Sequence, residues 1–176
     1  MAVCLDNNRS NKYHSRMATK TTGSGTRFDT LEQEAFLGLW RTYDRLRALE
    51  DELFAQYDLT AQQYNALRLL RSSHPEAIRT LDLAARLVSR APDITRLLDK
   101  LEQRGLIVRD RPADNRRVVY VRITTAGIAL LNEVREDVRD CHARQLSHLS
   151  QKDLKTLVAL LRAARLPHED ESSTWR

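Results

Sequence analysis

From Thr30 onward, apolar residues recur at helical spacing between short polar breaks. Leu31, Ala35, Leu39, Leu46, Leu49 and Leu53 fall on one stripe, which Phe36, Trp40, Tyr43 and Phe54 widen. This pattern predicts an amphipathic helix running to about Tyr57. Thr60 stands where a second helix needs an N-cap, with Tyr64, Leu67 and Leu70 facing inward, and Ser72-Ser73-His74-Pro75 ends it. Thr80 is expected to cap a short third helix whose apolar set is Leu81, Leu83, Ala84 and Leu87. After the link Val88-Ser89-Arg90, Pro92 suits the first turn of a fourth helix, where a missing N–H costs nothing. Ile94, Leu97, Leu98 and Leu101 give that helix one clean apolar face, and Gly105 stops it.

Two strand-like runs follow, 106–109 and 118–123, joined by a polar loop from Asp110 to Arg117, so a β-hairpin is predicted. Thr124 or Thr125 opens a long fifth helix to about Leu146, with Ile128, Leu131, Val134 and Val138 on one side. Ser150, with Asp153 three residues later, opens a last helix carrying Leu154, Leu157, Val158, Leu161 and Ala164 and ending before Pro167. The fold class is therefore mainly α with a small β-hairpin wing. It is a winged helix-turn-helix flanked by long N- and C-terminal helices.

Charge sharpens this picture. The net charge is +5, but it is unevenly placed. Residues 79–122 hold eleven Lys/Arg against six Asp/Glu, and residues 1–27 hold five against one. Residues 28–78 are acidic, with five against nine, and residues 123–176 balance at eight against eight. A basic stretch between neutral or acidic flanks is the footprint of a polyanion partner. The fourth helix shows Arg90, Asp93, Thr95, Arg96, Lys100 and Gln103 on its polar side. Arg and Lys suit guanine edges or phosphates, and Thr reaches a base edge or a thymine methyl. Asp93 repels phosphate, so it either stabilises the helix N-terminus or accepts from a cytosine amino group. The loop Arg111-Pro112-Ala113-Asp114-Asn115-Arg116-Arg117 carries three arginines. An arginine on a protruding loop suits a narrow minor groove.

Enzyme chemistry finds no support in the motifs: no nucleophile elbow, phosphate-binding Gly loop or paired His/carboxylate metal motif is present. His142 and His148 are six apart, wrong for one helical face. Cys4 and Cys141 make neither a disulfide framework nor a metal site, so no cofactor is expected. No apolar run is long enough to span a bilayer, and no secretory h-region precedes the polar start, so a cytoplasmic, nucleoid-associated protein is expected. Residues 1–27, with Met17 as a second candidate start, read as a disordered basic tail.

The stretches "TAQQYNALRLL", "LDLAARL", "ITRLLDKLEQRGLIVR" and above all "DRPADNRRVVYVRITTAGIALL" resemble the MarR family of bacterial regulators. The resemblance covers about Leu31 to Leu166. It implies a domain over 28–167, with the DNA-binding winged unit at 58–123 and dimerisation helices at 28–57 and 124–167. Residues 168–176 are expected to fray. Asp114, Arg116, Thr124 and Gly127 match the family's Asp-x-Arg wing and Thr-x-x-Gly helix start. By resemblance, Arg116 enters the minor groove and Asp114 steadies the wing by pairing with a nearby arginine. The expected DNA-binding set is Thr80, Arg90, Thr95, Arg96, Lys100, Arg111, Asp114, Arg116 and Arg117.

The resemblance further implies a homodimer on a pseudo-palindromic operator of double-stranded DNA, acting as a repressor released by a small aromatic or phenolic ligand. Trp40, Tyr43, Arg47 and Tyr64 have the chemistry for that ligand's pocket, although aromatic residues at helical spacing more often belong to a core. Two alternatives stand beside this reading. One is a winged domain used only for protein contacts. The other is a redox sensor using Cys141, which needs a lowered pKa and exposure.

Overall fold

The computed structural model describes residues 28–88, 93–113, 115, 117–171 and 173–175. The chain divides into two compact units, 1–38 and 39–176. In the first, the described residues open helix α1 (Leu31–Ala55). There the Thr30 hydroxyl accepts from the Gln33 N–H at 3.1 Å, and the Gln33 side chain accepts from the Asp29 N–H at 2.7 Å. This reciprocal pair satisfies N–H groups that a helix start otherwise leaves open. The expected tail, 1–27, lies outside the described residues.

The second unit holds the rest of α1 and the remaining elements: α2 (Ala61–Ser73), strand β1 (Ile78–Arg79), α3 (Thr80–Arg86), α4 (Ile94–Gln103), β2 (Ile107–Asp110), β3 (Tyr120–Ile123), α5 (Thr125–Glu133), α6 (Arg135–Leu146) and α7 (Gln151–Arg165). Thr60 caps α2 in a full capping box with Gln63. Ser150 caps α7 through the Asp153 N–H. The apolar faces of α2, α3, α4 and the sheet close on one core. Leu67, Leu70, Leu83, Leu98, Leu101, Ile107 and Val121 are among its fully buried members. No helix among the described residues is long and apolar enough to cross a membrane.

Four local expectations are corrected. The hairpin is part of a three-stranded antiparallel sheet of order β1-β3-β2, in which Ile78 pairs with Val121 and Ile107 with Ile123. Arg79, not Thr80, is the N-cap residue of α3, without a side-chain cap. Because β1 runs straight into that helix, the Thr80 hydroxyl instead donates to the Val119 carbonyl at 3.2 Å. Leu81 points out of the core at 79% exposure. Finally, the long fifth helix is two segments, α5 and α6, divided at Val134. Val134 is itself fully buried, and the bonds from its N–H to Leu130 and from the Val138 N–H to its carbonyl continue across the division.

Candidate nucleic-acid interface

The helix α4 begins on Asp93, whose carboxylate accepts the Arg96 N–H at 2.8 Å. Of its two sequence-level roles, helix capping is the one this bond fills, and a carboxylate there also meets the positive end of the helix dipole. Ile94, Leu97, Leu98 and Leu101 turn inward, which leaves Thr95, Arg96, Lys100 and Gln103 exposed. Gly105 then takes φ +67°, a left-handed conformation that favours glycine, and the chain enters β2.

The wing is fastened to α4 at its base. Arg109 on β2 is only 16% exposed and contacts Glu102 at 2.5 Å and Asp99 at 2.6 Å, both on α4. Its backbone N–H also donates to Glu102 at 3.1 Å. The hydrogen bond from Arg109 holds the Glu102 carboxyl below the usual carboxylate range and raises the Arg109 pKa in return. Beyond this clamp, the loop turns through Asn115, whose N–H donates to Pro112 and whose side chain accepts the Arg117 N–H at 3.2 Å.

A second fastening holds the wing's exit strand. The Thr124 hydroxyl donates to the Gly105 carbonyl at 2.7 Å and accepts from the Gly127 N–H at 3.1 Å, and the Thr124 N–H donates to Leu106 at 3.0 Å. The Thr-x-x-Gly motif thus locks the start of α5 onto the end of α4. A third clamp, from Arg104, reaches the Tyr57 carbonyl at 3.1 Å and the Asp58 carbonyl, at the turn that ends α1. The Tyr57 hydroxyl in turn donates to Asp137 on α6.

These contacts divide the basic residues in two. Arg79, Arg104, Arg109 and Arg122 are committed to ion pairs within the chain. The side chains of Arg96, Lys100, Arg111 and Arg117 are exposed and form no ion pair among the described residues. Thr95 is exposed beside them, whereas the Thr80 hydroxyl is engaged in the scaffold. Arg90, Asp114 and Arg116 lie outside the described residues. Sequence reasoning missed Arg104 and Arg109 as clamps. The signal for Arg109 was its place at the mouth of the hairpin, seven and ten residues after Glu102 and Asp99.

A cavity of about 740 Å³ opens elsewhere in the same unit, where α1, α2 and α6 meet. Tyr43, Arg47 and Tyr64 line it, as the sequence suggested, and Tyr64 stacks on Phe54 at 4.8 Å. Trp40 does not line it and stands 63% exposed on α1. Arg47 pairs with Asp51 at 3.3 Å on the same helix. Cys141 also lines the cavity but is 4% exposed, and burial pushes its thiol pKa up. That favours the inert thiol over the thiolate, against the redox alternative. No cluster of metal-ligating side chains occurs among the described residues.

Comparisons with known proteins agree with this geometry. The profile of the MarR family matches residues 59–119, from the start of α2 through the wing. A solved MarR transcription factor from Planctomyces limnophilus is 56% identical, covers 78% of this chain and 99% of its own, and superposes with a TM-score of 0.63. The regulator PecS of Dickeya dadantii is 34% identical over 116 residues, 65% of this chain and 69% of PecS. A MarR family transcriptional regulator from Streptomyces coelicolor, solved in complex with DNA, shares the fold at a TM-score of 0.72, with 16% identity, covering 87% of this chain and 98% of its own.

Proposed function

The chain belongs to the MarR family of transcriptional regulators, and on that premise we propose that it binds a pseudo-palindromic operator as a homodimer and represses transcription there. The observation that carries this reading is the split among its basic residues. Arg96 and Lys100 on α4, with Arg111 and Arg117 on the wing, are left open while their neighbours are spent on ion pairs. In this proposal α4 lies in the major groove, where Thr95, Arg96 and Lys100 read base edges or phosphates. The wing sends Arg116 into the minor groove, steadied by Asp114, while Arg111 and Arg117 take phosphate and Arg90 approaches the backbone beside α4.

Fluorescence anisotropy on the duplex upstream of the protein's own gene, titrated against salt, tests this. The logarithm of affinity should fall with the logarithm of salt concentration by about 0.9 per phosphate neutralised. Arg96→Ala and Arg116→Ala should each weaken binding by about 1–3 kcal/mol. Binding that ignores salt, or that survives both substitutions unchanged, would refute the interface.

Dimerisation answers a separate observation. On α1, Leu31, Leu39 and Tyr43 are exposed, and on α7 Val158, Leu160 and Leu161 are exposed, with no buried residue anywhere on α7. Long helices with apolar faces turned to water mark an association surface. A two-fold pair of winged units would then meet half-sites about 34–36 Å apart. Light scattering at micromolar concentration should give twice the 20.3 kDa chain mass, and a monomer would sink the dimer. The cavity supplies the place for an effector. An aromatic or phenolic acid would set its ring against Tyr43 and Tyr64 and its anionic group near Arg47, lowering affinity for DNA.

A further inference from the structure

One wall of the cavity comes from the far end of the chain. Trp175 lines it together with residues of α1, α2 and α6, although the last helix ends ten residues earlier. The chain turns through Leu166–His168 and comes back to Arg165. The Arg165 Nε lies at ion-pair distance, 3.1 Å, from Glu169, and its Nη2 donates to the Trp175 carbonyl at 3.0 Å. Its guanidinium sits 5.6 Å from the centre of the indole. Ser173 completes the loop, donating to Glu169 at 2.5 Å and accepting from the Trp175 N–H at 3.1 Å.

Against these contacts stand two deficits. The indole Nε1–H and the Arg165 Nε–H are both buried without a hydrogen-bond partner among the described residues. Burying a donor without an acceptor costs free energy that release to water would recover, so the docked ring is held less firmly than its contacts suggest. The attractive contacts centre on a single side chain, Arg165, whose cation over the ring adds a modest attraction.

We propose that the C-terminal strap carrying Glu169, Ser173 and Trp175 is a gate on this cavity: Trp175 covers it in the empty protein, and an aromatic acid enters by displacing the indole. The effector half of this statement rests on the cavity being the ligand site proposed above. Displacement returns the indole N–H to water, and the incoming ring replaces the indole against the aromatic lining. The gate then sets a threshold for the response, since the ligand competes with a group tethered beside its site.

Cys141 reports on the gate without any ligand, because it lines the same cavity and is the one thiol left after Cys4→Ser. In that background, Trp175→Ala should raise the rate of Cys141 modification by dithiobis(nitrobenzoate) at least threefold. Arg165→Gln, which removes the anchor without touching the lining, should raise it as well, while Trp175→Phe keeps a ring in place and stays slow. Melting temperatures measured alongside exclude general unfolding as the cause. A flat rate in either of the first two variants overturns the gate.

Benzoate then separates the two readings. In Trp40→Phe, Trp175 is the only tryptophan, and saturating benzoate should shift its emission to the red. Trp175→Ala should also bind benzoate several-fold more tightly by calorimetry, and weaker binding overturns the gate. Faster thiol modification with no benzoate binding to any variant leaves the gate standing and removes this effector class. Equal benzoate binding with unchanged thiol rates does the reverse.

Discussion

Leu98→Asp is expected to abolish the cooperative melt of the winged unit at room temperature. Leu98 is 1% exposed, on the face of α4 that also carries Leu97 and the fully buried Leu101. Deleting a buried leucine side chain alone costs about 2–5 kcal/mol. The aspartate adds the cost of burying a charge or of protonating it. A domain of this kind holds about 5–15 kcal/mol in total, so the substitution takes most of its stability. Far-UV circular dichroism through a thermal ramp gives the answer directly. Leu81→Asp is the control, because Leu81 has the same residue type in the same unit at 79% exposure. A Leu98→Asp protein that melts with the wild type would show that the apolar face of α4 does not carry the core.

That contrast between two leucines marks where the sequence was readable. Helical periodicity located α1, α2, α4 and α7 because each repeats one apolar stripe over several turns, and a stripe is a repeated signal. Over the seven residues of α3 the stripe has too few members, and Leu81 was counted inward with Leu83. The same economy hid β1. Two residues, Ile78 and Arg79, cannot alternate long enough to announce a strand, and their pairing with β3 crosses about forty positions. Thr80 looked like a cap because threonine favours caps, but the preceding strand had already fixed the entry of the chain. The division of the fifth helix at Val134 has no glycine or proline to signal it, and the apolar periodicity runs through it unbroken.

The interface was legible as composition before it was legible as geometry. A count of basic residues over 79–122 could not tell which ones are spent internally. Arg104 and Arg109 look in sequence like Arg96, yet their guanidinium groups tie α4 to the end of α1 and to the wing. The cavity shows the opposite limit. Tyr43, Arg47 and Tyr64 follow from side-chain chemistry and the family resemblance, whereas Trp175 reaches the same cavity from a terminus expected to fray, and Trp40 does not reach it. A contact made by a chain end folding back leaves no periodic trace.

Gly127→Ala is expected to destabilise the protein, against the ordinary direction for a helix. Alanine in place of glycine within a helix normally gains roughly 1 kcal/mol from propensity. At Gly127, however, a Cβ would stand 2.4 Å from the Leu106 carbonyl oxygen and 2.7 Å from Ile123 Cγ1. The second contact is with a side chain that can turn away. The first is with backbone, and that carbonyl also accepts the Thr124 N–H at 3.0 Å. Making room therefore pulls apart the fastening between the start of α5 and the end of α4, where the Thr124 hydroxyl bridges Gly105 and Gly127. Overpacking of this kind costs about 1–3 kcal/mol, and the backbone partner places Gly127 at the upper end. Urea unfolding followed by fluorescence should show a lower midpoint with an unchanged slope. Adding Ile123→Ala separates the two contacts: it should leave the deficit in place, because the carbonyl has not moved. Since β2 and the wing hang from the same junction, operator affinity should fall with the midpoint. A variant as stable as wild type, or a deficit erased by Ile123→Ala, would mean that the backbone approach does not set the requirement for glycine.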